Sequence, residues 1–425
     1  MRSQSLFSLS MAALLAGATT LSLALPVDGA SAQRSKKDKK KKKSERPDVS
    51  SDFVEPFNKA NDAIDAQDIA TAEAQLAIAG PLADTPDENF FLGNATVRLG
   101  GLKNDRVMQR KGILLMLDSG KAPPENIGRF SYLAGVFAYE NEEYPEAEQR
   151  FKTAIDSGFS QDNIERLYVD TIFRQNRTAE GLQTLKATVE RIKASGAQVD
   201  EGFYRSGVRN SANAGLMQET NYWSQQWVAN YPSATSWRDA LTLFRQNASF
   251  PNAVNIDLMR LMRVSEAMVS EQDYAEYIEN ADPRALPGEV ASVIEEGIAK
   301  GQLEAGNAFF NESLSMAKQR IPDDRGSLGS GESAARSSSN PMVALGTADA
   351  YLGYGEYAKA AELYAVALGK PGVDANLANT RLAIAQAMGG DYASARSSFA
   401  KVTGPRQPLA EFWTIWLDQQ SATGG

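Results

Sequence analysis

The apolar positions of this chain recur on two scales, about every third or fourth residue and again about every 35. Near the C-terminus, Gly355-x-Tyr357-x-x-Ala360-x-x-x-Tyr364-x-x-Ala367 returns as Gly390-x-Tyr392-x-x-Ala395-x-x-x-Phe399-x-x-Val402. The same string stands upstream as Tyr144-x-x-Ala147-x-x-x-Phe151-x-x-Ala154 and, more loosely, as Ile69-x-x-Ala72-x-x-x-Leu76-x-x-Ala79. A degenerate form, Thr178-x-x-Gly181-x-x-x-Leu185, follows the Tyr144 string by 34 residues. The short period is that of one face of an α-helix, and the long one is that of a repeated supersecondary unit. Small residues at 147, 360 and 395 allow two helices to approach closely, and the large side chain one turn later fills the groove between neighbouring pairs. The pattern predicts an all-α fold of antiparallel helix pairs stacked into a solenoid.

With its small residue, aromatic four later and closing proline (Pro86, Pro371 and Pro408 stand near that place), the string resembles the tetratricopeptide repeat (TPR). The resemblance is close in 341–409, good in 128–161 and loose in 53–86 and 162–196, and the first-helix tryptophan of the family is missing from the clear copies. It implies a TPR-like α-solenoid that binds other proteins in a concave groove. The predicted organisation is a helical repeat array over 51–321, clearest at 128–196, and a C-terminal TPR pair over 341–417. Between them, 322–340 is rich in Gly and Ser and reads as a linker or exposed loop. Residues 418–425 read as a disordered tail. In the middle of the array, Trp223, Trp227, Tyr231, Trp237, Leu241 and Phe244 read as packed core at helical spacing.

The first fifty residues have another character. Arg2, an apolar run from Leu6 to Leu25 and Ala30-Ser31-Ala32 have the order of a secretory signal peptide over 1–32, with an uncleaved membrane anchor as the alternative. Residues 33–50 follow as a lysine-rich tail, predicted to be disordered because like charges repel and nothing apolar drives folding. Lys36, Lys37, Lys39, Lys40, Lys41, Lys42 and Lys43 read as a solubilising run or as a tether to an anionic membrane or polysaccharide surface. Positive charge just beyond an apolar segment resists translocation, so this block opposes export, which remains the expected address, periplasmic or envelope-associated.

Net charge is −9 overall, but the basic stretch 33–46 conceals a body of about −16, which phosphate repels; the folded part is not expected to bind nucleic acid. The chain contains neither His nor Cys. Histidine- and thiolate-dependent catalysis and thiolate metal sites are thereby excluded, and no cofactor or metal is expected. Gly326, Gly329 and Gly331 lack the Lys-Ser/Thr of a phosphate loop, Ser315-Met316-Ala317-Lys318 lacks the companion motifs of the serine acyl-enzymes it imitates, and Asp323-Asp324 and Glu295-Glu296 lack the spacing of a calcium loop.

If the first helix of each pair lines a groove, as in the proteins the chain resembles, helical spacing places Arg129, Tyr132, Val136 and Tyr139 on one line and Arg166, Asp170, Phe173 and Arg174 on the next. Tyrosine and arginine are enriched at interface hot spots, and the strip is the candidate site for an acidic or extended partner segment; ordinary helix surface with core aromatics is the other reading. Asn61 is all that matches the lysine and asparagine clamp of some relatives. The expected function is a non-enzymatic interaction scaffold or assembly adaptor of the bacterial envelope. A carboxylate-dependent polysaccharide hydrolase on a repeat platform and a purely structural spacer are the alternatives.

Overall fold

A computed structural model describes residues 47–161, 163–247 and 252–423. Among them are twenty α-helices, two short 3-10 turns and no strand. Helix pairs in contact with their neighbours make up the described residues, and the fold is an all-α repeat solenoid. The chain divides into two compact units, Met1–Thr188 and Val189–Gly425.

The first unit holds α1 (Ser51–Asp65), α2 (Ile69–Ala79), α3 (Pro86–Leu102), α4 (Arg106–Asp118), α5 (Pro124–Glu140), α6 (Tyr144–Asp156) and α7 (Ile164–Arg174), and α8 (Thr178–Ala194) runs across the division. The second continues with α9 (Glu201–Asn213), α10 (Met217–Asn230), α11 (Ala234–Asn247), α12 (Asn252–Val264), α13 (Glu271–Ala281) and α14 (Pro287–Ala299). It ends with α15 (Ala308–Ser337), α16 (Pro341–Gly353), α17 (Tyr357–Leu368), α18 (Ala375–Met388), α19 (Tyr392–Phe399) and α20 (Gln407–Thr423).

One backbone device recurs at the turn inside each helix pair. A left-handed residue ends the first helix of a pair at Gln67, Asn104, Glu142, Asn176, Gly215, Glu266, Gly301, Gly355 and Gly390. The next residue's N–H then reaches back to a carbonyl five positions earlier, as in Asp68 to Ala63, Glu143 to Ala138, Ala267 to Met262 and Asp391 to Gln386. This geometry satisfies the orphan carbonyls of a helix end and reverses the chain into the second helix. The pairs are therefore α1–α2, α3–α4, α5–α6, α7–α8, α9–α10, α12–α13, α14–α15, α16–α17 and α18–α19, with α11 and α20 outside the scheme. Within the pairs, Ala72, Ala147, Ala360 and Ala395 have no exposed surface, and Phe151 and Tyr364 beside them are as fully enclosed. At the α3–α4 crossing the two backbones approach closely: a methyl group on Gly112 would lie 2.5 Å from the Gly93 carbonyl oxygen. Trp223, Trp237, Leu241 and Phe244 are core, as their spacing predicts.

Three boundaries read from the sequence are corrected. The Gly/Ser stretch 322–340 is no linker: through Ser337 it is the second half of α15, a helix of 30 residues and about 45 Å. Its serines bond back to the preceding turns, Ser327 to the Asp324 carbonyl and Ser330 to the Ser327 carbonyl, and Leu328 and Ala335 are buried. Tertiary packing here overrides weak helix propensity. The tail expected over 418–425 is helical as far as Thr423, because α20 is anchored along its length. Residues 47–50, expected to belong to a disordered tail over 33–50, are held in place: the Asp48 N–H donates to Asp87 and the Ser50 N–H to Glu88, and the rest of that tail lies outside the described residues. The signal peptide, the alternative anchor and the lysine block of 36–43 lie outside the described residues. Among those described, no helix is long and apolar enough to cross a membrane.

Glu88 closes the N-terminal end of the first unit. Its carboxylate accepts the N–H groups of Ser50 at 2.7 Å and of Asp84 and Thr85 at 2.9 Å, in a capping box with Thr85. Burial opposes the charge, but these donors outweigh it and lower the carboxyl from 4.5 to about 2. A depressed folded-state value means stability that is present above the unfolded value and lost as pH falls through the folded one. Glu88→Gln is expected to destabilise the first unit by about 1–2 kcal/mol at pH 7. In urea titrations the gap to wild type should narrow between about pH 4.5 and pH 2; a gap independent of pH contradicts the assignment.

Candidate functional site

The strip expected to meet a partner is only partly surface. Tyr132 and Val136 are core residues, 5% and 4% exposed, and Phe173 packs its ring against Gly181. The physical reason is that α5 is covered on several sides, with every residue from Ser131 to Ala138 buried. The Tyr132 hydroxyl donates to Asn163 at 3.1 Å, and its ring lies on Phe151 and Phe159. Tyr139 donates to the Asp170 carboxylate, which also accepts Arg174 Nε at 3.1 Å, so these three are tied to one another. Burial and then the Asp170 charge raise the Tyr139 phenol above its ordinary range. Arg166 and Arg174 are exposed. Arg129 is half-buried, its Nε has no hydrogen-bond partner, and burial lowers its guanidinium. Asn61 accepts a bond from Arg98 at 3.0 Å.

The densest polar chemistry lies in the second unit, where periodicity gives no signal for it. Asp257 of α12 has no exposed surface. Its Oδ1 accepts Arg260 at 2.9 Å and Arg381 of α18 at 3.2 Å, and its Oδ2 accepts Arg406 at 2.8 Å from the turn before α20. Arg260 forks onto both oxygens of Glu289 on α14 at 2.8 Å each, and the Tyr277 hydroxyl adds a bond to Glu289 at 2.6 Å. Arg381 also reaches Asp349 of α16, which accepts the Tyr364 hydroxyl. Three guanidiniums thus face three carboxylates in the interior. Burial works against the charge on Arg260 and on Glu289, but each outweighs it for the other, holding the arginine charged and the carboxyl below its usual range. At Asp349 burial prevails over Arg381 and the carboxyl is raised.

Above this network opens a cleft of about 390 Å³. It exists because α15 is twice the length of its neighbours. Lys318 in its first half pairs with Glu295 of α14 at 2.8 Å, and Gly331 in its second half lies against Thr347 of α16. The N-terminus of α14 thereby meets the C-terminus of α16, and Gly288 is the residue that fits there, because a methyl group would lie 2.3 Å from the Tyr354 ring. Arg325 covers that ring at 4.2 Å from its centre, and the Tyr354 hydroxyl donates to Asp324 at 2.7 Å. Arg263 forms the opposite wall, held by Glu296 at 2.6 Å and Ser292 at 2.8 Å. Ile321, Leu352, Ile384 and Met388 supply the apolar lining. Aromatic, aliphatic and arginine surface around a pocket of this size suits binding of one or two side chains of an extended segment.

Among the described residues no group of three or more acidic side chains is placed to hold a metal ion. In comparisons with known proteins, no family model and no curated protein matches the chain.

The network predicts the cost of breaking it. Asp257→Asn removes the charge that three buried arginines share and should destabilise the second unit by about 3–5 kcal/mol, read as a lower urea midpoint at pH 7. A loss below about 1 kcal/mol contradicts a structural role for that carboxylate.

Proposed function

We propose that this protein is a divergent exported member of the TPR type, a non-enzymatic scaffold that holds an extended segment of a partner protein in the cleft between α14, α15 and α16. The observation that carries the reading is the chemistry of the cleft. Arginines and tyrosines line it together with apolar side chains, the composition of interface hot spots. The buried carboxylate at its base favours binding over catalysis: Glu289 is tied to Arg260 and Tyr277 and is not poised to exchange a proton with a substrate. The absence of histidine from the whole sequence points the same way. Export is supported by the order of residues 1–32, and the lysine block after it suits an anionic surface near the partner.

Ser292 is exposed and lines the cleft, so Ser292→Trp fills the opening at the cost of one bond to Arg263, which Glu296 still holds. Crosslinking in an envelope extract should recover specific proteins with the wild-type chain and at least fivefold less of them with S292W. Equal recovery, with S292W folded by circular dichroism, removes the cleft as the binding site.

A further inference from the structure

Taking the cleft as that binding site, we infer that residues 322–337 are its gate: this half of α15 melts locally to admit a polypeptide segment and re-forms as a helix over it.

The segment forms one wall of the cleft through Arg325, with Ile321 at its edge. Its sequence opposes the helix it adopts. Pro322 lies inside α15, where its ring removes a backbone donor and crowds the preceding turn, and Gly326, Gly329 and Gly331 follow, the weakest helix formers after proline. Helix here is maintained from outside, and the outside is thin. Of the segment's side chains only Leu328 and Ala335 are buried, whereas the shorter α16 opposite buries Ala344, Leu345, Ala348, Tyr351 and Leu352.

The remaining ties are polar: Arg325 lies on the Tyr354 ring, Asp324 and Glu332 accept the part-buried Tyr354 and Tyr351 hydroxyls, and the ion pairs face solvent. Arg325 meets Glu356 at 3.4 Å, Lys359 meets Glu332 at 3.4 Å, and Arg336 meets Glu362 at 2.7 Å. Exposed pairs of this kind contribute little and weaken with salt. A helix half with few apolar contacts and poor propensity belongs to the part of a fold that opens first. The flanks stay fixed: Phe310 and Ala317 anchor the first half of α15, and α16 begins at Pro341 with Asn340 capping it. A short segment between two fixed ends closes again readily, as a gate must.

Native-state hydrogen exchange on the full chain reads the opening directly. Amides of 326–337 should exchange at least tenfold faster than those of 344–352, and the difference should grow with added salt. Because the chain has no cysteine, Leu352→Cys on the opposite wall provides a single thiol whose labelling rate reports the same opening. Gly326 and Gly329 have open space around them, so Gly326→Ala with Gly329→Ala strengthens the helix without a clash and should slow that labelling by about tenfold. Equal protection of the two segments, or a labelling rate untouched by the alanines, overturns the gate. Neither readout depends on a partner, so the binding reading stands or falls separately with S292W.

Discussion

Asp257 lies on α12 with no exposed surface, and its carboxylate receives guanidiniums from residues 3, 124 and 149 positions further along the chain. A buried carboxylate needs charge-assisted partners; one comes from its own helix and two from the C-terminal part of the second unit. Around it, α20 completes the closure with apolar and polar contacts. Phe412 packs on Trp237 and Phe244, Trp416 donates to the Val264 carbonyl, and Gln419 donates to the Val228 carbonyl. A solenoid stabilised by nearest neighbours alone has no such long-range bonds. The second unit is a solenoid fastened on itself, and the junction of α14, α15 and α16 beside the cleft is held within that closure.

The 35-residue string made the helix pairs legible because it specifies their closest contacts: the alanines at 72, 147, 360 and 395 are all fully buried. The middle repeats were not legible, because what marks them is backbone rather than side-chain pattern. At Glu266, as at Gln67 and Glu142, the left-handed turn is taken by a residue with no preference for it, and composition gives no sign of the reversal. α15 misled for the opposite reason. Its Gly and Ser residues have the local preferences of a linker, and only the surfaces of α16 and α17, brought in by the fold, make it a helix.

The candidate site shows the same division. Arg129 and Arg166 were placed on an expected surface strip, and Tyr139, Asp170 and Arg174 do meet, but Tyr132, Val136 and Phe173 went to the core because α5 is enclosed by its neighbours. The cleft draws Arg263, Tyr277, Gly288, Arg325 and Tyr354 from separate elements, and no spacing along the chain links them. What the sequence held was indirect: arginines and acidic residues scattered through helices whose neighbours are apolar, where a buried charge requires a partner from another element.

If the second unit is fastened by α20 and the Asp257 network, removing α20 should be felt where the fastening ends, far away in sequence. Hydrogen exchange on a chain truncated after residue 403 tests this most directly. The account predicts that amides of α10, α11 and α12 lose protection by at least a hundredfold while those of α3 to α6 in the first unit keep theirs. Unchanged protection in α10 to α12 would contradict it.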